Sequence, residues 1–342
     1  MSPKVSFVVA IYNVAQYIEQ CVRSLYEQTL EDIEIVLVDD CSPDNSFEIA
    51  LRVLDEYPHR KPQVKVVRHE KNLMNGRTRH DGLNASTGRY VHFIDGDDYV
   101  DPQMAELMYS KAEEEDADVV VCDYYWYTLN GAELVTLIRG GIVGNGENVR
   151  DDTINRDVNP SIWCKLIRRR IFLDNEILWP VCGRADDVVL SDEVLYYAHK
   201  ISHVPVPLYH YRLNPNSICN IKSPEHSERR MKLYVQNNAV LFEFLEREGM
   251  SEKYEKGILV NKLFVKNDII NYTDKRKYAR LWLRTYPEVN KILFWGNKKH
   301  KSTYREKIWL LAICLGLYPK LKHCLLSKRF RPAAIWRRGA FQ

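Results

Sequence analysis

The residues with the clearest chemical potential in this 342-residue chain are Asp95, Gly96, Asp97 and Asp98. Asp95 and Asp97 are one residue apart, so in an extended segment their carboxylates point to the same side. Crowded carboxylates repel one another unless protons or a cation intervene. Mg2+ and Mn2+ take oxygen ligands and often bind through one or two carboxylates together with substrate phosphates. A cation held there would bridge a diphosphate and neutralise a departing one. By itself such a turn is as easily solvated surface, so its meaning depends on where the chain puts it.

The elements around it are readable from apolar periodicity. Residues 5–12 (VSFVVAIY) and 33–38 (IEIVLV) are continuous apolar runs of strand length, as expected of strands buried on both faces. Between them Ile18, Cys21, Val22 and Leu25 fall at helical spacing. Phe47, Ala50, Leu51 and Leu54 mark a second helix, after the turn and capping residues Ser42-Pro43-Asp44. Strands are expected at 64–67, 90–94 and 119–122, with helices near 77–85 and after Pro102. Alternation at this spacing implies right-handed βαβ units and a parallel sheet. Ligands of such sheets bind beyond the carboxyl ends of the strands. Tyr12-Asn13, Asp39-Asp40 and Asp95 to Asp98 occupy those ends, so one sheet edge gathers at least four carboxylates. Regular signals weaken between 131 and 159 and return at 162–172 and 188–200. Pro205, Pro207, Pro215 and Pro224 suggest a connecting region, and the chain reads as mostly helical from Ser227.

Several nucleotide sites are excluded. The turn Ala10-Ile11-Tyr12-Asn13-Val14-Ala15 lacks the glycines of a dinucleotide fingerprint, and no GxxxxGK stretch is present. A calcium loop starting at Asp95 would need an acidic or amide residue at Tyr99 and glycine at Val100. Eight cysteines form no CxxC pair, which removes the usual zinc spacing and suits free thiols in a reducing cytoplasm. No secretory leader and no apolar run of about 18 residues is visible, so neither export nor a spanning helix is expected.

Five blocks resemble family 2 glycosyltransferases, an inverting group using nucleotide-sugar donors on a GT-A fold. They are VSFVVAIYNVAQYIEQCVRSLYEQTLEDIEIVLVDDCSPDNS, HFIDGDDYVDP, IWCKLIRRRIF, ADDVVLSDEVLYYAHKI and PLYHYRLNPNSI, at residues 5–46, 92–102, 162–172, 185–201 and 207–218. The first two are specific in combination, and the later three are similar to the bacterial branch that builds capsular, exopolysaccharide and lipopolysaccharide glycans. The resemblance implies a Rossmann-like α/β domain over 1–220, with a mostly parallel sheet flanked by helices, and a helical extension over 221–342. It implies that Ala10, Tyr12 and Asn13 line the base and that Asp40 accepts the uracil N–H, which favours UDP, with Asp39 supporting that loop. Arg77 or Arg79 would contact nucleotide or phosphates. Asp95 and Gly96 would lie by ribose and metal, Asp97 would bind Mn2+ or Mg2+, and Asp98 would support the turn. Asp187 aligns with the general base, beside Asp186, which stands where relatives usually carry Glu. Asp192 and Glu193 are alternative bases, read also as a solvated helix face. Lys165 would offset phosphate or position acceptor, or else be a surface lysine after a core Trp163. Arg212, in the Tyr211-Arg212 pair, would clamp the diphosphate or brace a loop over it.

Charge is unevenly placed. Residues 291–342 hold thirteen Lys and Arg against the single acid Glu306, within a chain of net charge +3. Residues 305–338 combine these cations with the apolar run 308–315, a composition suited to a helix lying on an anionic membrane surface. Docking onto the catalytic domain or into a homo-oligomer interface is the competing expectation. Nucleic acid is disfavoured because no binding motif accompanies the charge. The expected partners are thus a nucleotide sugar and a saccharide or lipid-linked saccharide, at the cytoplasmic face of a membrane. The rival functions are a metal-dependent nucleotidyltransferase, whose Gly- and Arg-rich first loop is missing here, and a non-catalytic nucleotide-sugar-binding subunit.

Overall fold

The computed structural model describes residues 2–128, 131–135, 147–156, 159–181, 183, 185–214, 217, 224–270, 275–296, 307 and 311. In chain order the first elements are β1 (Val5–Ile11), α1 (Ile18–Tyr26), β2 (Ile33–Asp39), α2 (Ser46–Leu54), β3 (Val64–Arg68), α3 (Asn75–Ala85), β4 (Tyr90–Asp95) and β5 (Tyr99–Val100). Then come α4 (Met104–Glu114), β6 (Val119–Thr128), β7 (Gly131–Val135), α5 (Glu147–Ile154), β8 (Lys165–Arg168), α6 (Arg170–Asp174), α7 (Asp186–Tyr197) and β9 (Ile201–Arg212). Helices α8 (Pro224–Arg247), α9 (Glu255–Ile270), α10 (Lys275–Arg284) and α11 (Pro287–Trp295) follow.

One nine-stranded sheet runs β3-β2-β1-β4-β8-β6-β9-β5, with β7 added to β6. Its first four strands are parallel, as the alternation of the sequence requires. Every residue of β2 is buried, because helices cover both faces. The predicted apolar stripe of α1 is buried at Ile18, Cys21, Val22 and Leu25. Beyond β4 the sheet becomes mixed: β8 pairs antiparallel with both β4 and β6, and β6 pairs parallel with β9.

Two segments differ from the sequence reading. The first part of the proline-marked stretch expected to be a connection, through Arg212, is strand β9, which contains Pro205 and Pro207. The ladder with β6 shifts register where these prolines pass Cys122 and Asp123, so a residue without an N–H interrupts pairing only where it is already broken. Helix α7 was read as having a solvated acidic face, yet Asp192 and Glu193 are fully buried. The far side of α7 is closed by the C-terminal helices, with Val188 and Val189 packed against Leu241, Phe244 and Leu245 of α8.

No helix among the described residues is long and apolar enough to cross a membrane. Among the described cysteines, Cys21, Cys122 and Cys164 are buried free thiols and Cys41 is an exposed one. Most of the basic tail, 305–338, and the glycine-rich stretch 140–146 lie outside the described residues.

Candidate active site

Register explains why the polar strand ends converge. Ala10 of β1 pairs with Asp95 of β4, and Ile11 pairs with Asp39 of β2, so all lie at one level of the sheet edge. Gly96 follows directly, with its N–H on the Ala10 carbonyl at 3.1 Å. A Cβ at 96 would stand 2.7 Å from that carbonyl oxygen, so only glycine lets the turn lie this close to β1.

The four-residue turn divides by burial. Asp97 is half-buried and accepts a hydrogen bond from Asn214 Nδ2 at 2.9 Å. Burial and the neighbouring Asp95 charge raise its carboxyl above the usual range, and the Asn214 bond opposes them. Asp98 is fully buried and holds β9, accepting from the Tyr209 hydroxyl at 2.8 Å and the Arg212 N–H at 2.7 Å. It therefore supports the turn from behind.

Arg79 sits at the centre of the remaining charge. Its buried guanidinium reaches Asp95 at 2.9 Å, Asp187 at 2.8 Å and Asp186 at 3.4 Å. Asn75 also donates to Asp186, at 3.1 Å. The carboxyls of Asp186 and Asp187 are both raised, chiefly by burial, with Arg79 opposing. Desolvation thus wins over the salt bridge, leaving carboxylates more basic than an exposed aspartate. In this arrangement Arg79 faces protein carboxylates. Arg77 is exposed and pairs with Asp81 at 2.7 Å.

On the other side of β1, Asp40 is buried and accepts from the Leu73 and Met74 N–H groups at 2.7 and 2.8 Å, and it meets His69 at 2.7 Å. It thereby fixes the loop that leads into α3 and Arg79. Asp39 accepts from the Ser42 N–H at 2.9 Å and pairs with Arg68 at 3.2 Å. Tyr12 is 45% exposed, the most open aromatic at this edge, and Asn13 adopts a left-handed φ of 55° with its N–H on Ser42 Oγ.

Three outer residues take clear places. Lys165 is buried, against the reading as a surface lysine, with its ammonium on the Ser161 carbonyl. Its charge is close enough to Asp187 to lower that carboxyl's pKa. Arg212 lies over the Tyr99 ring at 4.6 Å and donates to Gln20 at 2.6 Å. Asp192 forms a two-pronged pair with Arg156, at 2.9 and 2.6 Å, in full burial. Breaking such a pair costs about 3–5 kcal/mol, so Asp192 is spent on structure. Glu193 accepts from the Leu178 N–H at 2.9 Å.

The sequence reading missed Asn75, Tyr209 and Asn214, each of which touches an acidic site residue. Tyr209 and Asn214 both lie within the block PLYHYRLNPNSI that carries Tyr211-Arg212, which was their only signal.

Among the described residues no three His, Cys, Asp or Glu side chains converge on a point that could hold a cation by protein ligands alone. The donor set still fits Mg2+ or Mn2+. Asp95 and Asp97 offer hard carboxylate oxygens, the Asp95 charge raising the proton affinity of Asp97, and such ions complete their shell with substrate phosphates and water.

The sequence matches the family described as Glycosyl transferase family 2 over residues 6–176. It is 32% identical to the uncharacterized glycosyltransferase EpsJ of Bacillus subtilis, over 68% of either chain. It is 26% identical to the succinoglycan biosynthesis protein ExoO of Rhizobium meliloti, over 66% of this chain and 65% of that one. The fold is similar to that of S. aureus TarS 1–349 in complex with UDP-GlcNAc, at TM-score 0.56, 20% identity, and coverage of 94% and 90%. The mannosyltransferase PcManGT of Pyrobaculum calidifontis, in complex with GDP-Man and Mn2+, has TM-score 0.52, 17% identity, and coverage of 94% and 87%. A mixed, curled sheet flanked by helices, with its acidic turn at the end of β4, is the GT-A architecture. By its sequence match and its fold, this chain belongs to glycosyl transferase family 2.

Proposed function

We propose that this glycosyltransferase moves a sugar from a UDP-sugar to a saccharide acceptor with inversion, in the synthesis of a bacterial surface polysaccharide. The observation that carries this reading is the convergence of Asp95, from the end of β4, and Asp187, from the start of α7, on one guanidinium, Arg79. A group for the donor and a group for the acceptor thus stand side by side.

The chemistry follows from their environments. Tyr12 offers an exposed ring for the base of the nucleotide, and Asp40 and Asn13 shape the loop beneath it. Asp97 and Asp95 would hold Mn2+ or Mg2+, which when bound would neutralise charge on the leaving diphosphate. The acceptor oxygen attacks the anomeric carbon from the side opposite the diphosphate. Its proton passes to Asp187, and the bond to the diphosphate oxygen breaks with its electron pair on the nucleotide. Burial raises the Asp187 carboxyl, which makes it a stronger base, while the Arg79 and Lys165 charges oppose that rise. Asp186 accepts from the Asp187 N–H and so helps to hold it, the Lys165 charge acts on Asp187 from nearby, and Arg212 braces β9 over the turn.

TarS and PcManGT bind nucleotide sugars, PcManGT with Mn2+, and ExoO acts in polysaccharide biosynthesis; these support donor class, metal and setting. The basic tail suggests a peripheral enzyme at the cytoplasmic membrane face with a lipid-linked acceptor. The deciding experiment measures nucleotide release and thermal shift across UDP-, GDP- and TDP-sugars with Mn2+ or Mg2+. UDP-sugars are expected to stabilise the protein and release UDP only with metal present. Stabilisation by no nucleotide diphosphate would sink the reading.

A further inference from the structure

Strands β6 and β9 carry a row of aromatic rings on one face. Successive side chains of a strand alternate between faces, and Tyr124 and Trp126 of β6 pair in register with Tyr209 and Tyr211 of β9. Trp163 lies across that face, with ring centroids 4.5 Å from Tyr209 and 5.3 Å from Tyr211 and interplanar angles of 24° and 20°. Trp126 ends the row edge-on to Tyr211, at 6.1 Å. The inner end is pinned to the acidic turn, because the Tyr209 hydroxyl donates to Asp98. The row also lies on the α7 side of the sheet, since the Ser191 hydroxyl donates to the carbonyl of Pro160, three residues before Trp163.

Burial splits the row. Tyr209 and Trp163 are closed off, as core aromatics are, whereas Tyr211 and Trp126 remain half-buried. Packing accounts for the inner pair; it does not account for two large rings left partly open at the outer end. Sheet order then limits what can lie there. The nucleotide half, β3-β2-β1, is on one side of β4, and β6 and β9 are on the other. The occupant is therefore the second substrate.

Its chemistry is set by the surface. A sugar ring has a face of polarised C–H groups that lies well against the negative face of an aromatic ring. Rigid aromatic side chains supply that contact at little cost in conformational entropy. The Trp126 indole N–H is buried with no acceptor among the described residues, so a hydroxyl held beside the ring would satisfy it. Exposed Glu133 stands opposite Trp126 on β7 and disfavours an acidic sugar. From Tyr209 to Tyr211 is two strand residues, roughly 7 Å. The stacked sugar is thus a neighbour of the one that receives the transferred unit.

We propose that Trp126 and Tyr211 form an acceptor subsite that stacks a neutral sugar residue adjacent to the accepting one, so that the enzyme prefers oligosaccharide acceptors. This rests on the transferase reading above. The test compares methyl glycosides of glucose, galactose and N-acetylglucosamine with the corresponding neutral trisaccharides, in wild type, Trp126→Ala and Trp126→Phe. Wild type should prefer trisaccharides. Trp126→Ala should raise the trisaccharide KM at least tenfold, with a smaller change in kcat and the length preference gone, and Trp126→Phe should restore most of it. A length preference retained by Trp126→Ala overturns the proposal. So does a monosaccharide KM that rises as much as the trisaccharide KM. Should wild type turn over no nucleotide sugar, the transferase reading is what fails. The subsite is then judged by tryptophan fluorescence during titration with the same trisaccharides. Saturable quenching in wild type that Trp126→Ala loses sustains it, and quenching absent from wild type refutes it.

Discussion

Arg79 ties together carboxylates that the sequence places sixteen and more than a hundred residues away. With Asp97 half-buried and raised beside Asp95, a cation has more to gain there than at an exposed acid pair. Asp97→Ala is therefore expected to abolish the metal-dependent part of UDP binding in calorimetry, while the fold keeps its melting temperature. Asp187→Asn should leave UDP affinity within a fewfold and lower kcat by about a thousandfold or more, since it removes the base and keeps the shape. The pH profile of kcat should carry the same signature. A raised Asp187 carboxyl places the acid limb above the ordinary aspartate range, near 3.9, with activity falling as pH drops through it. Full activity in Asp187→Asn would move the base to another residue. The acids themselves were legible from their spacing, but Arg79 as their common partner was not. Its partners come from two other elements, β4 and α7, and nothing in the local sequence around 79 signals them.

Helix α7 shows where periodicity fails as a guide. Its acids Asp192 and Glu193 read as a wet face because their partners are remote: Arg156 and Leu178. The opposite case is β1 and β2, whose apolar runs admit only a doubly covered strand and were legible at once. Strand β9 was hidden by its prolines, which sit at a register shift that only the paired strand reveals. The burial of Glu193 has a measurable result. Desolvation pushes its carboxyl up to about 8, against about 4.3 when unfolded. Between these values the folded chain holds a proton that the unfolded chain has released, so stability falls as pH rises across this window. Glu193→Gln mimics the protonated form without titrating. It should match wild type in denaturant midpoint near pH 4.5 and become progressively the more stable of the two up to about pH 8. A constant difference across that range would show that Glu193 is ionised in the folded protein.

At the scale of the whole molecule, the cations are gathered at one end. Helix α11 ends on Trp295, 77% exposed, and Lys307 lies over the Phe294 ring at 5.8 Å. Beyond it the basic tail offers roughly 1 kcal/mol per cation close to an anionic surface at moderate salt. Full-length protein should float with vesicles containing anionic lipid and lose this in 0.5 M salt, while a chain ending near residue 295 should stay in the soluble fraction. Equal partition of the two chains would assign the tail to packing on the protein. Composition revealed this asymmetry, because charge is additive along a chain. It could not reveal what the charge meets, since that depends on the placement of an apolar stripe.

Gly96 shows how differently two neighbouring residues record a protein's past. Its hydrogen atom fills the gap against the Ala10 carbonyl, and any larger group at 96 would force β1 and β4 apart. A descendant chain that gave up catalysis and survived as a binding scaffold would still keep this glycine, because folding demands it. The same chain would be free to lose Asp97, whose part in the proposed reaction is to bind the cation. In any distant relative a retained glycine therefore testifies only to the fold, and the aspartate one position later is the better witness to an enzyme still at work.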